Sequence, residues 1–304
     1  MSKKTPQRTR YGIGEWYGRR FTTLSPEDRK RYAQLKGIKK EECPFRPDKG
    51  MCNKEGGVCS LQAYTKGENG VVKPDAKQPD LVTLCPSRFW EQNIVFRAVG
   101  KWVLGTSSPT IVKEVGFLKR VKRTGEVTSK MVGRIDAVLI KTSKEEKIGD
   151  WCALEMQAVY ISGQSIEHEF KAIENEPGKI LFPVHNHRPD FRSSAPKRLM
   201  PQLQIKVPSL RRWGKKMAVV VDKPFYNSSA PIQEAASLSN ADIAWIIIDY
   251  NGPDGQLRVN KITYTTLESS IVGLTAGEPV TKQQFEEQIT SYLKDKKEKV
   301  IRLS

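Results

Sequence analysis

Two short stretches of the sequence place polar side chains inside otherwise apolar runs. "ALEMQAVY" contains Glu155 and Gln157, and "GRIDAVLIK" contains Asp136. Burying such groups in a sheet costs free energy unless they have a partner or a task. Because side chains alternate along a strand, Glu155 and Gln157 are expected on one face, about 7 Å apart. If the two strands pair as a hairpin, Asp136 and Glu155 meet on one side.

Two neighbouring carboxylates repel each other unless a cation lies between them. Mg²⁺ suits such a pair, because it takes oxygen ligands, keeps several waters and accepts a phosphate oxygen. It would polarise a phosphate and lower the pKa of an attacking water. Asp136, eighteen residues and then Glu155-x-Gln157 match the nuclease pattern Asp…(Asp/Glu)-x-Lys, with Gln in the place of Lys. The pattern alone is not specific, since polar residues on the wet face of a strand produce it too.

The amide of Gln157 carries no charge, although it can orient a water or offer its carbonyl oxygen to a metal. Positive charge would then come from the metal or from a nearby base, and Arg134 and Lys141 are equal candidates. A third acid upstream often completes such a site. Glu114 and Glu126 are candidates for it, and a solvated surface charge is the alternative for each.

Four of the five cysteines, Cys43, Cys52, Cys59 and Cys85, lie in the first third of the chain. Intracellular cysteines clustered in this way bind metal more often than they form disulfides. Four thiolates favour zinc or iron, and they can also hold an iron–sulfur cluster. The spacing lacks paired CxxC motifs, so four buried thiols remain the alternative. Cys152 is interpreted as a small core residue.

The 304 residues carry a formal net charge of +17, which favours a polyanionic partner: DNA, RNA or an anionic membrane. The most apolar run, Ile243 to Ile248, is too short to span a bilayer. No apolar segment follows the basic N-terminus, so no secretory signal is predicted. These features together lead us to expect a soluble cytoplasmic protein.

The elements that must position these residues divide at about Arg88. Before it, loops are expected, with one helix that has Ser25 as N-cap and Pro26 as first residue and stops at Gly37. From Phe89 onwards helices and strands interleave, which predicts a mixed α/β core with helices packed on both faces of a sheet.

The predicted helices of this second part begin at Phe89, in "SIEHEFKAIENE" (closed by Pro177), near "PIQEAASLS" and in "TKQQFEEQITSYLKDKKEKV", which Thr281 caps. The predicted strands are "GRIDAVLIK", "DWCALEMQAVY", "MAVVVDKPFY", "DIAWIIIDYN" and "LRVNKITYTTL". No helix or strand is predicted in the basic, proline-rich stretch 185–216.

Together, the cysteines in "CPFRPDKGMCNKEGGVCSL" and "LVTLCPSRF", followed by "GRIDAVL" and "LEMQAVYISG", resemble NotI-type restriction endonucleases, including the shorter EagI. The resemblance covers most of the chain. It implies a homodimeric type II enzyme with a PD-(D/E)XK fold, which cuts double-stranded DNA with Mg²⁺ and leaves 5′-phosphates. It also implies a separate host methyltransferase. The two parts become a four-cysteine metal-binding domain, 1–88, and a catalytic and DNA-recognition domain, 89–304.

Residue by residue, the resemblance assigns the active site to Asp136, Glu155 and Gln157, with Mg²⁺ on Asp136 and Glu155. It assigns a structural iron, with zinc as the alternative, to Cys43, Cys52, Cys59 and Cys85. It implies a GC-rich palindrome that contains CGGCCG, and the chain length favours the EagI-like six-base site over a longer one.

A GC-rich site presents guanine O6 and N7 acceptors, which arginine matches with two hydrogen bonds. Most arginines near DNA contact phosphates, so none is assigned to a base. The candidates are Arg188, Arg192, Arg198, Arg211 and Arg212. Two alternatives stay open: a nuclease of repair or CRISPR adaptation with a cluster held by four cysteines, and a DNA-binding protein without catalysis.

Overall fold

The computed structural model describes residues 9–35, 41–67, 72–142, 147–176, 178–252, 255–277, 280–295 and 299–301. The helix end expected at Gly37 and the helix-closing role expected of Pro177 lie outside these residues.

The N-terminal part contains an antiparallel sheet with the order β2-β1-β3-β4, and β5 also pairs with β3. Its strands are β1 (Thr9–Trp16), β2 (Arg19–Arg20), β3 (Val58–Lys66), β4 (Val72–Pro74) and β5 (Val82–Thr83). The expectation that loops dominate here is wrong for β1 and β3. Strand β3 is buried on both faces over Val58–Thr65, so its sequence lacks the alternation that indicates a strand. In β1, a Cβ on Gly14 would lie 2.8 Å from the Leu61 backbone, which explains a glycine in this strand.

A mixed sheet with the order β13-β12-β11-β8-β7-β6 organises the second part. Its strands are β6 (Thr110–Val121), β7 (Val127–Thr142), β8 (Ile148–Met156), β11 (Met217–Asp222), β12 (Ile243–Asn251) and β13 (Gln256–Thr265). Strands β8, β11 and β12 run parallel, and the remaining neighbours are antiparallel. A separate antiparallel pair joins β9 (Tyr160–Ser162) to β10 (Arg188–Asp190).

Helices flank this sheet, as the interleaved pattern predicts. The helices of the described residues are α1 (Pro26–Gln34), α2 (Ile94–Val99), α3 (Glu167–Glu174), α4 (Phe191–Ser194), α5 (Met200–Arg212), α6 (Lys223–Asn227), α7 (Leu267–Thr275) and α8 (Lys282–Asp295), of which α8 has no buried residue. A 3₁₀ segment, Pro86–Asn93, leads into α2, and π-helical turns lie at Gly100–Leu104 and Ala195–Leu199. Within the described ranges, no helix is long and apolar enough to cross a membrane.

Alternation along the strands divides the sheet into two buried faces. Ala137 and Leu154 belong to the cluster that packs against α2. Val138 and Ala153 belong to the opposite cluster, which includes the buried residues of α5. The odd-numbered residues of β8 therefore lie beneath α5, and Glu155 is one of them.

Buried polar contacts connect the two parts of the chain. Arg88, which is 1 % exposed, donates from Nη2 to Glu15 Oε1 at 3.1 Å and to the Gly255 carbonyl at 2.5 Å. The Thr83 backbone N–H donates to Asp222 Oδ2 at 2.6 Å. The division into domains 1–88 and 89–304 stays a prediction, and the contacts of Arg88 with Gly255 and of Thr83 with Asp222 cross its boundary.

Most predicted elements are confirmed. Helix α1 begins at Pro26, and Ser25 Oγ accepts from the Asp28 N–H at 3.1 Å. The helix predicted near "PIQEAASLS" is wrong, because residues 231–237 are irregular and lead into a 3₁₀ turn, Leu238–Asn240, while the Ala235 N–H bonds to the Tyr264 carbonyl of β13 at 2.7 Å. Among the longer elements of the second part, β6, α5 and α7 were not predicted.

Candidate active site

The register of β7 and β8 brings the two acidic residues together. Ala137 pairs with Leu154, so the next position of the ladder sets Asp136 opposite Glu155. The ladder opens there, and Asp136 Oδ2 accepts the Met156 backbone N–H at 2.8 Å. The expected meeting of Asp136 and Glu155 across a hairpin is therefore seen in the structure.

Burial makes both carboxylates harder to ionise, and the charge of Asp136 adds to this effect for Glu155. Burial raises the pKa of Glu155 to about 7, and the neighbouring Asp136 charge adds to the shift, while Lys206 opposes it. Burial also raises the pKa of Asp136, against the Met156 N–H and Lys206, and Glu114 contributes in the same direction as burial. A cation between the two groups would relieve this repulsion.

A buried lysine that sequence reasoning missed completes this centre. Lys206 lies on α5, is 2 % exposed, and donates from Nζ to Glu155 Oε1 at 2.6 Å. It occupies a helical turn between Leu203 and Leu210, both of which are buried in the core. The sequence feature that could have indicated it is a lysine at an apolar position of a 3.6-residue repeat. No helix was predicted in this stretch, so the repeat was not recognised.

Gln157 lies just beyond the end of β8, at Met156, and not within a strand that continues to Tyr160 as predicted. Its backbone N–H still bonds to the Val220 carbonyl of β11 at 3.0 Å. Its side-chain Nε2 donates to the Ala158 carbonyl at 2.5 Å. One donor of the amide is therefore bonded to the backbone of the next residue.

An open cavity of about 420 Å³ gathers these groups. Its lining includes Arg134, Asp136, Glu155, Gln157, Lys197, Arg198, Gln202 and Lys206. The three residues assigned to the active site thus share one cavity. Of the two bases considered for Gln157, Arg134 lines the cavity and Lys141 does not.

The two candidates for a third acid differ in position. The β6–β7 register, with Lys113 opposite Ala137, places Glu114 level with Asp136. Glu114 lines a neighbouring cavity together with Asp136, and its Oε2 accepts from Arg134 at 2.8 Å. Glu126 lies at the far end of the hairpin, paired with Lys122 at 2.8 Å.

The four N-terminal cysteines are all buried. Cys85 donates its backbone N–H to the Cys59 carbonyl at 3.2 Å, and Cys43 and Cys52 lie on the two sides of a turn joined by the Glu42–Met51 bridge. The Cys52 and Cys85 charges both add to the effect of burial in raising the pKa of the Cys59 thiol. The donor chemistry suits zinc or iron, but among the described residues no three His, Cys, Asp or Glu side chains are grouped so as to hold a metal ion.

The candidate base-reading arginines occupy different environments. Arg198 lines the cavity, with its guanidinium 3.6 Å from the centre of the Tyr160 ring. Arg211 is held by Asp242 at 2.5 Å and by Glu268 at 3.0 Å. The other three candidates are exposed and lie outside the cavity lining: Arg188, Arg192 and Arg212.

The family model "Restriction endonuclease NotI" matches residues 29–258, most of the chain, and this range contains the four cysteines and the three candidate active-site residues. The chain belongs to the NotI family of restriction endonucleases. No curated protein matches it. As a NotI-family member it is a type II restriction endonuclease, a site-specific hydrolase that binds double-stranded DNA.

The acidic pair fits the activity that the family match implies. A DNA hydrolase needs a place where a phosphodiester can approach metal-binding oxygens, and the cavity beneath α5 offers Asp136 and Glu155 at its wall. Mg²⁺ is commonly bound by one or two protein carboxylates together with substrate phosphates and waters, so a pair of carboxylates fits this ion.

Proposed function

We propose that this NotI-family enzyme hydrolyses both strands of DNA at the cavity beneath α5, with Asp136 and Glu155 as the Mg²⁺ ligands. The observation that carries the proposal is the register of β7 and β8, which sets these two acids opposite each other at the wall of an open, polar cavity. Burial raises the pKa of both carboxylates, and a cation bound between them would favour their ionised forms.

Bound Mg²⁺ would polarise the scissile phosphate and lower the pKa of the attacking water. Asp136 and Glu155 would hold this ion from adjacent strands of a buried sheet, one residue beyond the ladder pair Ala137–Leu154. The water loses a proton to solvent as its oxygen bonds to phosphorus, the P–O3′ bond breaks, and O3′ takes up a proton from solvent. The products are a 5′-phosphate and a 3′-hydroxyl.

We infer further that the core is of the PD-(D/E)XK type, that the enzyme acts as a homodimer on a GC-rich palindrome containing CGGCCG, and that an EagI-like six-base site fits its length. A separate methyltransferase would protect the host. Family membership and the strand positions of Asp136 and Glu155 support these proposals. Digestion of a plasmid of known sequence, with the ends mapped, tests the recognition site and the cut position together.

We also propose that Cys43, Cys52, Cys59 and Cys85 hold a structural iron, with zinc as the alternative. Their burial and the absence of harder donors from the set support this proposal. Metal analysis of the purified protein, together with its absorption spectrum, distinguishes a single iron, zinc and an iron–sulfur cluster.

The catalytic proposal is tested with Asp136→Ala and Glu155→Ala. Each should slow cleavage in Mg²⁺ by about 10³-fold or more, because each removes a metal ligand. DNA binding in Ca²⁺ should persist. The matched control is Glu234→Ala, which removes a half-exposed acid near β13 that pairs with Lys261. Cleavage at the wild-type rate by either active-site variant would disprove the assignment.

A further inference from the structure

Lys206 is a lysine at a core position. The face of α5 that packs on the sheet carries Leu203, Lys206, Val207 and Leu210, all buried. Every other member of this set is aliphatic, and the helical repeat calls for an aliphatic residue at 206 as well. A buried ammonium is costly without a partner, and Glu155 supplies one at 2.6 Å.

Stability is a weak reason to keep this pair. Replacing a buried ion pair with apolar residues of similar volume is often neutral or stabilising. The Lys206–Glu155 pair is also not sealed in the core, because both side chains reach the wall of the cavity that Asp136 lines. A buried pair that opens on a reaction cavity is explained better by chemistry than by folding.

Three other side chains that line the cavity have partners outside the acidic pair. The Gln157 amide has no charge and donates to the Ala158 carbonyl. Arg134 is held at Glu114, with both side chains largely exposed. Arg198 lies over the Tyr160 ring. Among these cationic side chains, Lys206 is the one that directly contacts a carboxylate of the proposed metal site.

We propose that Lys206 is the cationic catalytic residue of this enzyme, and that it supplies from α5 the charge that a lysine at position 157 would supply from the strand. This inference rests on the proposed function of Asp136 and Glu155. An ammonium has three donors, so Lys206 can keep its bond to Glu155 Oε1 and donate to an oxygen of a phosphate in the cavity. There it stabilises the negative charge that develops as the P–O3′ bond breaks.

Lys206→Met tests this proposal, because it keeps an unbranched side chain of similar length and removes the charge. Single-turnover cleavage in Mg²⁺ should fall by about 100-fold or more, while the Kd for DNA in Ca²⁺ stays within about three-fold of wild type. The control Lys261→Met removes the lysine of the half-exposed Glu234 pair and should leave both quantities unchanged. Wild type is assayed alongside, so that a failure of the proposed function shows as no cleavage by wild type.

The relocated variant Lys206→Met/Gln157→Lys returns the ammonium to the strand. It should cleave at least about ten-fold faster than Lys206→Met. Three results would overturn the inference while wild type remains active. These are cleavage by Lys206→Met within about ten-fold of wild type, loss of DNA binding in proportion to cleavage, and a relocated variant as slow as Lys206→Met.

Discussion

At the scale of single residues, Glu114 extends the acidic pair to a third strand. The registers of β6, β7 and β8 place Glu114, Asp136 and Glu155 at one level of the sheet. Glu114 has a left-handed backbone, with φ of 52°, which costs a non-glycine residue about 1 kcal/mol. This conformation lies at the position where the β6 ladder passes Asp136, and the Glu114 charge adds to burial in raising the pKa of Asp136.

Glu114→Gln should therefore reduce cleavage in Mg²⁺ by about ten-fold, since it removes a negative charge beside the proposed metal ligands. Glu126→Gln is the matched control, because it removes the other candidate acid from the far end of the same hairpin, where Glu126 pairs with Lys122. The comparison is made as initial rates at saturating Mg²⁺ and again at limiting Mg²⁺. Equal rates for Glu114→Gln and Glu126→Gln would remove Glu114 from the site.

At the scale of elements, Asp222 connects the central sheet to the N-terminal sheet through a hydrogen bond. It ends β11, where its Oδ2 accepts from the Thr83 N–H of β5 and its Oδ1 caps α6 through the Phe225 N–H at 2.8 Å. Burial raises the pKa of Asp222 to about 6, against these two hydrogen bonds. The folded protein therefore binds this proton more tightly than the unfolded chain does, whose Asp pKa is about 3.8.

The stability that comes from this shift is fully present below pH of about 4 and is lost as pH rises through about 6. The free energy of unfolding of wild type minus that of Asp222→Asn should therefore fall by about 3 kcal/mol over this range. Urea unfolding at a series of pH values measures it. Asp249→Asn is the control of opposite sign, because the Arg258 ion pair lowers the pKa of Asp249. A difference for Asp222 that is flat or rises with pH would contradict the prediction.

Helix α5 shows why part of the site could not be predicted. Alternation within two apolar runs was enough to predict strands that carry Asp136 and Glu155, because the pattern of a strand can be read from a few neighbouring residues. Pro201 and Pro208 made the segment look like a loop, yet α5 follows directly on the π-helical turn Ala195–Leu199 and the chain stays helical through Pro201. Pro208 is retained inside the helix because Leu203, Val207 and Leu210 are buried on the sheet, so tertiary packing outweighs the local preference.

Strand β6 and the N-terminal sheet escaped prediction for related reasons. Strand β6 is largely exposed over Thr110–Val121 and carries no strong alternation, so only its pairing with β7 defines it. Strand β3 is buried on both faces, which hides its period. The contact between Lys206 and Glu155 spans 51 residues, and nothing local in the sequence relates the two positions.

At the scale of the whole molecule, the net charge of +17 matters for how the enzyme meets its substrate. A DNA-binding protein that neutralises phosphates with lysine and arginine releases counterions, so its affinity falls as salt rises. The environment of each lysine and arginine in the fold determines whether it can neutralise a DNA phosphate. Arg211 is already neutralised by Asp242 and Glu268, whereas Arg198 lines the open cavity beside the proposed reaction site.

Arg198→Gln should accordingly weaken DNA binding in Ca²⁺ and make the slope of log Kd against log salt shallower by about 0.9, the value for one phosphate contact on duplex DNA. Arg211→Gln removes the same charge from the same basic stretch and should leave the slope unchanged, because its guanidinium already has two carboxylate partners. Titrations of one duplex between low and moderate salt give both slopes. If the two variants change the slope equally, the prediction is wrong. The ion pairs of Arg211 then do not prevent it from contacting a phosphate, and net charge alone determines the salt dependence.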